Sequence, residues 1–391
     1  MQEVSAVPEV IVVGAGVTGT STAFHLAERG ARSVTVIDAR HAGEGMSSRS
    51  SALVRMHYTF EQEVRLAVDS LTFFRDWPER VGRPSVFHEC GFVRIVSPGE
   101  AGLLRENVKM QRACGAEAEV ITADDLLELE PGWRADDVVA AAYEPRAGYG
   151  DGAIVAGDLL SRAREEGVAY RPNTRVRALV ESGGRIRGVR TDQGDIMADL
   201  VILATGVWTR PLLAAVGADL PIEPEYHEVA VLRDQPGSPA GRTACIDSGT
   251  RSYFRPEPGA GLLLGDFIGP RDGIDPDDFP QTPRDDSVVE LVGRVTRRVP
   301  ALASAGISRG VTGVYDMSPD ARPMLGPVAG LEGLIVAAGF SGMGFKICPA
   351  VGRALAELTL GEQQTVDISA FSPDRFAAGN PITPPYAYAD D

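Results

Sequence analysis

The stretch Val10-Ile-Val-Val-Gly14-Ala-Gly16-Val-Thr-Gly19, followed by a helical pattern and then Val34-Thr-Val-Ile-Asp38, leaves the start of this chain little conformational choice. Four apolar residues suit a buried parallel strand. Gly14 permits the tight turn after it, Gly16 lets the backbone approach a pyrophosphate, and Gly19 lets the helix pack close to the strand. The helix N-terminus suits an anion, because its unpaired N–H groups and dipole favour negative charge. Ala23, Leu26 and Ala27 are spaced to face inward, with Glu28 and Arg29 outward. Asp38 ends the second strand 24 positions after Gly14, placed to accept hydrogen bonds from a ribose. Strand, turn, helix and acid together read as a dinucleotide site.

A second glycine-rich segment lies more than three hundred residues later, Leu334-Ile-Val-Ala-Ala-Gly339-Phe-Ser-Gly342-Met-Gly344-Phe-Lys346. Two such segments at opposite ends of one chain read most economically as a single FAD site. A cofactor domain assembled from separated stretches is awkward for a simple nicotinamide dehydrogenase and expected for a large flavoprotein. The 391 residues suit two domains or one elaborated domain. A net charge of −16 and a pI near 4.9 argue against a nucleic-acid groove or an anionic membrane surface. The longest apolar runs, Leu200 to Ala204 and Leu334 to Ala338, are far too short to span a bilayer. About nine residues precede the first strand, which leaves no room for a secretory signal. Cys90, Cys114, Cys245 and Cys348 show no metal or CxxC spacing, so reduced thiols in a cytoplasm and no metal site are expected.

Along the chain, a loop of small and polar residues from Gly43 to Tyr58 follows the first βαβ unit, where an open α/β sheet places its ligand crevice. Val64, Ala67, Val68, Leu71 and Phe74 recur at helical spacing. From about Pro84 to Glu144, short strands and acidic helices read as an insertion. The α/β pattern returns at Ile154 to Glu165, with strands near Val168 and from Arg175 to Val180 and a hairpin over Ser182-Gly-Gly-Arg. Leu200 to Ala204 is a buried strand ending in the small-residue turn Ala204-Thr205-Gly206, suited to backing a flat cofactor. Residues 221–310 alternate in period two and read as antiparallel strands. The expected fold is therefore α/β. A Rossmann-like FAD-binding domain (1–83, 150–220 and 311–372) is interwoven with an antiparallel-sheet substrate domain (84–149 and 221–310), and a Pro/Ala/Tyr-rich tail covers 373–391.

The N-terminal glycine motif with Asp38, the Leu-Val-Arg55 loop, Ala204-Thr205-Gly206, Tyr253-Phe-Arg-Pro-Glu-Pro and Asp316-Met-Ser-Pro-Asp320-Ala-Arg-Pro-Met-Leu-Gly326-Pro resemble the D-amino-acid-oxidase-like FAD superfamily. The block Ala-Ala-Gly339-Phe-Ser-Gly342-Met-Gly344-Phe-Lys346 is most similar to the sarcosine oxidase and dimethylglycine dehydrogenase branch. The resemblance implies a glutathione-reductase-type flavoprotein that oxidises an amino acid or N-alkyl amino acid. A hydride passes to flavin N5, leaving an imine that water hydrolyses. It also implies that Arg55 and Lys346 clamp the substrate carboxylate, as a cationic pair would while the reacting bond faces the flavin. For Arg55 the alternative is a surface arginine or a partner for an acid such as Asp69. For Lys346 it is a helix-start lysine touching only the flavin. Tyr315 matches an aromatic that shapes the cavity, or is a core tyrosine. His57 and Tyr58 line the cavity or simply pack.

The expected cofactor contacts are Gly14, Gly16, Val17, Thr18, Gly19, Asp38, Ala39 and Arg40 at the N-terminal unit, and Ser47, Ser48 and Arg49 in the loop. Val176, Ala204, Thr205, Gly206 and Trp208 follow, with Gly342, Met343, Gly344, Phe345 and Lys346 at the C-terminal motif. Three departures qualify the resemblance. The covalent linking residues of the sarcosine oxidases (cysteine) and the dimethylglycine dehydrogenases (histidine) match Gly313 and Arg49 here, which implies noncovalent FAD. The oxygen-activating lysine of the monomeric sarcosine oxidases aligns with Leu263, which puts rapid reaction with O₂ in doubt. Met343 stands where the family often has histidine, implying a less polar pocket. The expected partners are a small amine bearing a carboxylate and either O₂ or an electron carrier. A D-amino-acid or imino-acid dehydrogenase, or a flavoprotein subunit of a larger amine-oxidising complex, remains an alternative.

Overall fold

Val10–Val13 lies in the middle of a nine-stranded sheet and is buried throughout, as a continuous apolar run should be when both sheet faces are covered. The chain is described by a computed structural model covering residues 9–31, 33–233, 242–259 and 261–389. Residues 1–8, where the sequence was read for a signal, lie outside these, as do 234–241 of the expected substrate domain and the last two residues of the expected tail. Val10–Val13 pairs in parallel with Val34–Ile37 on one side and Leu200–Leu203 on the other. Leu331–Ala338 continues the parallel order beyond Leu200–Leu203, and Ala169–Arg171 flanks Val34–Ile37. Three distant stretches of chain thus build one sheet.

Alternation along these strands sorts the core into two layers. Val10, Val12, Val36 and Ile202 pack with Phe24 and Leu26 of the helix Val17–Glu28, Val155 and Leu159 of Gly152–Glu165, and Val351 and Leu355 of Gly344–Leu360. Ile11, Val13, Val201 and Leu203 face the other way, toward Leu179 and Val189 of an antiparallel meander, Val176–Ser182, Arg185–Thr191 and Gly194–Met197.

A second sheet has eight strands. Its order is Gly306–Met317, Glu223–Arg233, Leu262–Asp266, Ser252–Pro256, Ala244–Asp247, Phe92–Ile95, Ala141–Glu144 and Glu119–Ile121. Every pairing is antiparallel except that of Ala244–Asp247 with Phe92–Ile95. Residues from the 84–149 insertion and from 221–310 therefore share one sheet. A small three-stranded sheet joins Leu53–Val54, Gly148–Tyr149 and His88–Glu89. This is the expected α/β flavoprotein architecture with an interwoven antiparallel sheet.

Three details differ from the sequence reading. The stretch read as antiparallel strands contains a helix, Asp285–Arg298, which buries Val288, Leu291 and Val295 along one face. Asp285 and Asp286 in its first turn and Arg297 and Arg298 in its last complement the dipole. The strand Gly306–Met317 runs through the boundary drawn between residues 310 and 311. Residues after 373, read only as a Pro/Ala/Tyr-rich tail, pack onto the rest of the chain. Arg375 is buried against Asp320 in a two-pronged ion pair (2.9 and 2.8 Å), and Tyr388 is buried among Leu104, Val108 and Ala142.

Candidate functional site

The glycines of the first turn divide their work differently from their spacing alone. Gly14 has φ +103°, and a Cβ there would lie 2.3 Å from the Ala204 carbonyl oxygen, so the turn presses against the end of the neighbouring strand. A Cβ on Gly19 would lie 1.9 Å from the Gly14 oxygen, which fixes the close approach of helix and strand. Gly16 is different: a Cβ there would meet only the Ser47 hydroxyl, at 3.1 Å. Gly16 is also the N-cap of the helix Val17–Glu28, and its lack of a side chain leaves that helix start without a side-chain cap of its own. The Val17 N–H donates to Ser47 Oγ at 3.1 Å. Asp38 accepts from the Ala15 N–H (2.7 Å) and the Arg40 N–H (2.8 Å), so its carboxylate pins the turn itself, and burial raises its pKa.

These groups open onto a cavity of about 530 Å³. Gly14, Gly16, Val17 and Thr18 line it beside Asp38, Ala39 and Arg40. Ser47 and Arg49 reach it from the short helix Met46–Arg49, whereas Ser48 is exposed and its hydroxyl donates to the Gly45 carbonyl at 3.1 Å. Val176, Ala204, Thr205, Gly206 and Trp208 form another wall, and Gly342, Gly344 and Phe345 a further one. Gly19, Ser48, Met343 and Lys346 lie outside the lining, as does Arg55. Sequence reasoning missed three contributors. Arg175 and Asp277 come together at 3.6 Å, and Asp277 also accepts from the Trp208 indole at 3.2 Å. Asp316 lines the cavity while accepting the Gly339 N–H at 2.7 Å, and burial raises its pKa to about 6. Asp277 had no local signal, because its partners Arg175 and Trp208 lie in the other sheet's part of the chain.

The residues expected to meet substrate form a neighbouring group. Tyr315 lines the cavity, stacks on His227 with ring centroids 3.8 Å apart, and would be struck at 2.6 Å by a Cβ on Gly342. Lys346 is buried and donates from Nζ to the Gly342 carbonyl at 3.2 Å. No carboxylate is paired with it among the described residues. Burial and the nearby Arg55 charge both lower its pKa, with Glu63 opposing. Arg55 is half-buried, its guanidinium 4.5 Å from the Tyr58 ring centroid and 5.6 Å from that of Phe92, and Nη1 donates to the His57 carbonyl. Asp69 pairs with Arg353, which removes it as the alternative partner for Arg55. His57 lies outside the cavity lining: it is buried, and its Nε2 is 2.9 Å from the Tyr388 hydroxyl.

FAD fits these residues. A helix start with no side-chain cap of its own, facing a cavity, suits a pyrophosphate, and the glycines and alanines in the lining leave room for flat rings. Among the described residues, no cluster of His, Cys, Asp or Glu could hold a metal ion, and no helix is long and apolar enough to cross a membrane.

The family profile described as "DAO: FAD dependent oxidoreductase" matches residues 9–358. The chain is similar to 4-methylaminobutanoate oxidase (formaldehyde-forming) of Paenarthrobacter nicotinovorans, 28% identical over 94% of this chain and 45% of that protein. It is similar to sarcosine oxidase subunit beta of an Arthrobacter species, 26% identical over 96% of this chain and 92% of the other. The chain spans about half the length of the curated relatives it matches first. Among solved structures, L-proline dehydrogenase from P. horikoshii aligns with a TM-score of 0.87 and 28% identity, covering 95% of this chain and 98% of the other. Glycine oxidase from Geobacillus kaustophilus aligns at 0.82 and 25%, covering 94% and 98%. The family resemblance carried by the motifs is borne out, and with it the cofactor.

Proposed function

This chain belongs to the FAD dependent oxidoreductase family, and from that premise we propose that it oxidises the C–N bond of a small amino acid or N-alkyl amino acid. The observation that carries the proposal is the pair of cations, Arg55 and Lys346, held beside the cavity with no carboxylate paired to Lys346 among the described residues. Such a pair calls for an anionic group on the substrate. The names of the relatives agree: sarcosine, proline, glycine and 4-methylaminobutanoate are all small amines bearing a carboxylate.

Gly14, Gly16, Val17 and Thr18 would hold the pyrophosphate at the helix start, with Asp38, Ala39 and Arg40 toward the adenosine. Ala204, Thr205, Gly206, Gly342 and Gly344 would present backbone to the flavin side. FAD held there would supply a hydride acceptor for the substrate carbon beside nitrogen, and water would hydrolyse the resulting imine. Lys346 and Arg55 would fix the carboxylate, and Tyr315 would close the side of the substrate space. Each acts by orientation and charge complementarity. We group 1–83, 150–220 and 311–372 as the FAD-binding part and 84–149 with 221–310 as the substrate part. The shared eight-stranded sheet supports this division, and Gly306–Met317 belongs with that sheet.

A second reading, a dehydrogenase that hands electrons to a carrier, is favoured by one position. Leu263 is aliphatic and buried where an oxygen-activating cation would match. An anaerobic screen of N-methyl and D-amino acids, following flavin bleaching, tests the main reading. Several carboxylate-bearing amines should bleach the flavin and matched amines without a carboxylate should not. Bleaching indifferent to the carboxylate would overturn it.

A further inference from the structure

The segment that carries Arg55 is held in place from the far end of the chain. Arg55 follows the short strand Leu53–Val54, and Nη1 donates to the His57 carbonyl two residues on. The position of that carbonyl therefore helps set the position of the guanidinium. The backbone around it is fastened on both sides: the Met56 N–H donates to Glu144 Oε2 at 2.8 Å, and the Tyr58 carbonyl accepts from Gln111 Nε2 at 2.9 Å. His57 itself is held through its side chain. Its Nε2 is 2.9 Å from the hydroxyl of Tyr388, 331 positions later, and the two rings are stacked at 5.9 Å with an 11° tilt.

Tyr388 is anchored as a structural residue. It is 4% exposed, packs among Leu104, Val108 and Ala142, and has the Arg94 guanidinium 5.0 Å from its ring centroid. The backbone around it is tied down as well: Tyr386 O accepts from Asn107 Nδ2 at 2.9 Å, and the Ala389 N–H donates to Glu100 Oε1 at 2.7 Å. Earlier in the same segment, the Ile382 N–H donates to Asp320 Oδ2 at 2.9 Å. A Pro/Ala/Tyr-rich stretch with no secondary structure of its own is thus fixed at three points, and its one deeply buried ring meets the loop beside the substrate space.

We infer that Tyr388 and His57 form a brace that positions Arg55 for the substrate carboxylate, which makes the C-terminal segment 381–389 a working part of the substrate site. The inference rests on the reading of Arg55 as a carboxylate ligand. His57 is a positioning residue: its ring faces Tyr388, and it reaches substrate only through its carbonyl and Arg55. Without the Tyr388 hydroxyl the loop keeps its other ties but loses the one that fixes His57, and the guanidinium samples more orientations.

The test uses the FAD-loaded full chain and propionate as a carboxylate probe, with binding read from the perturbation of flavin absorbance. Tyr388→Phe keeps the ring and removes the hydroxyl. Losing the hydrogen bond to His57 should raise the propionate Kd by about two- to tenfold. Flavin content and melting temperature should stay close to those of the unmodified protein. A chain ending at Pro385 should show the same change or a larger one. Arg55→Leu is measured alongside, and in its background Tyr388→Phe should add nothing, because the brace acts only through Arg55. An unchanged Kd in Tyr388→Phe, together with a weakened one in Arg55→Leu, overturns the brace and leaves the clamp standing. Undiminished binding in Arg55→Leu overturns both. Full additivity of the two changes shows that Tyr388 acts by another route and also overturns the brace.

Discussion

Gly313 and Arg49 adjoin at the wall of the cavity: a Cβ on Gly313 would stand 3.4 Å from the Cβ of Arg49. Both line the cavity, and the family resemblance of the sequence implies that they stand where a cofactor-linking cysteine or histidine would be. Glycine offers no side chain. The Arg49 guanidinium is engaged elsewhere, donating to the Thr312 carbonyl (2.9 Å) and Gln281 Oε1 (2.7 Å) and lying 5.3 Å from the Phe279 ring centroid. We therefore expect FAD to be held without a covalent link. Acid precipitation should leave the yellow colour in the supernatant, and colour retained in the protein pellet would show that another residue makes the link.

The glycines of the first turn should separate folding from cofactor binding. Gly19→Val places side-chain atoms where the Gly14 carbonyl already lies 1.9 Å from a Cβ, so helix and strand must move apart and little folded protein should be recovered. Gly16→Val meets only the Ser47 hydroxyl at its Cβ, so the fold should survive. Its methyl groups stand at the uncapped helix start on the cavity wall, so the purified protein should be colourless. Circular dichroism and flavin absorbance read the two outcomes separately. A yellow, fully loaded Gly16→Val would count against the pyrophosphate assignment.

The first βαβ unit was legible because its determinants are local. Val10–Val13, the glycines, and Asp38 all lie within one supersecondary element, and each residue type has one backbone reason to be there. The helix Asp285–Arg298 was legible too, in Val288, Leu291 and Val295, but lay in a stretch whose alternating strands suggested a single pattern. Other features depend on partners far along the chain. From the sequence, His57 could line the cavity or simply pack. The structure packs it against Tyr388, in a stretch legible only as a Pro/Ala/Tyr-rich tail. Asp277 reaches the cavity wall only because the eight-stranded sheet brings its loop against Arg175 and Trp208. No periodicity encodes such meetings.

Glu144 should make stability depend on pH in a defined direction. It is fully buried, accepts the Met56 N–H at 2.8 Å, and burial raises its pKa from 4.5 to about 7, with the Met56 N–H and Arg55 opposing. A carboxyl whose folded pKa lies above its unfolded value favours the neutral form in the native state. Its cost is absent below the unfolded pKa, grows as pH rises from about 4.5 toward about 7, and stays constant above that. The span corresponds to roughly 2–4 kcal/mol. Glu144→Gln keeps an acceptor for Met56 and cannot ionise. Denaturant titrations at several pH values should show that the difference between the two proteins shifts in favour of the variant across this window. A difference independent of pH would mean that the Glu144 carboxyl titrates alike in the folded and the unfolded chain.

The clamp should be selective for charge. A charge-assisted hydrogen bond is worth roughly 1.5–3 kcal/mol, so Lys346→Met or Arg55→Leu should weaken a carboxylate-bearing substrate by about ten- to a hundredfold. A matched amine without the carboxylate should change far less. Steady-state kinetics on such a pair of substrates checks this. Equal losses on both would place the two cations in support of the flavin.

Reoxidation in air should be slow compared with that of an oxidase carrying a cation near the flavin. Leu263 is buried among Leu53, Phe92, Tyr149 and Tyr253, an apolar cluster that offers nothing to stabilise the negative charge formed when the first electron reaches O₂. Arg255, its cross-strand neighbour, does not substitute. Its guanidinium donates to the Ser51 and Pro256 carbonyls, pairs with Glu257 at 2.5 Å, and lies over the Tyr149 ring. Lys346 Nζ is engaged with the Gly342 carbonyl at 3.2 Å, and in the proposed clamp its charge serves the substrate carboxylate. Stopped-flow mixing of reduced protein with oxygen should therefore give a slow phase, and Leu263→Lys, once shown to be folded and loaded with flavin, should accelerate it. Slow reoxidation that the new lysine speeds up is the behaviour of a protein suited to passing electrons to a carrier. Fast reoxidation of the unmodified chain would instead show that Lys346 or the cavity backbone supplies the field, and that oxygen is the working acceptor.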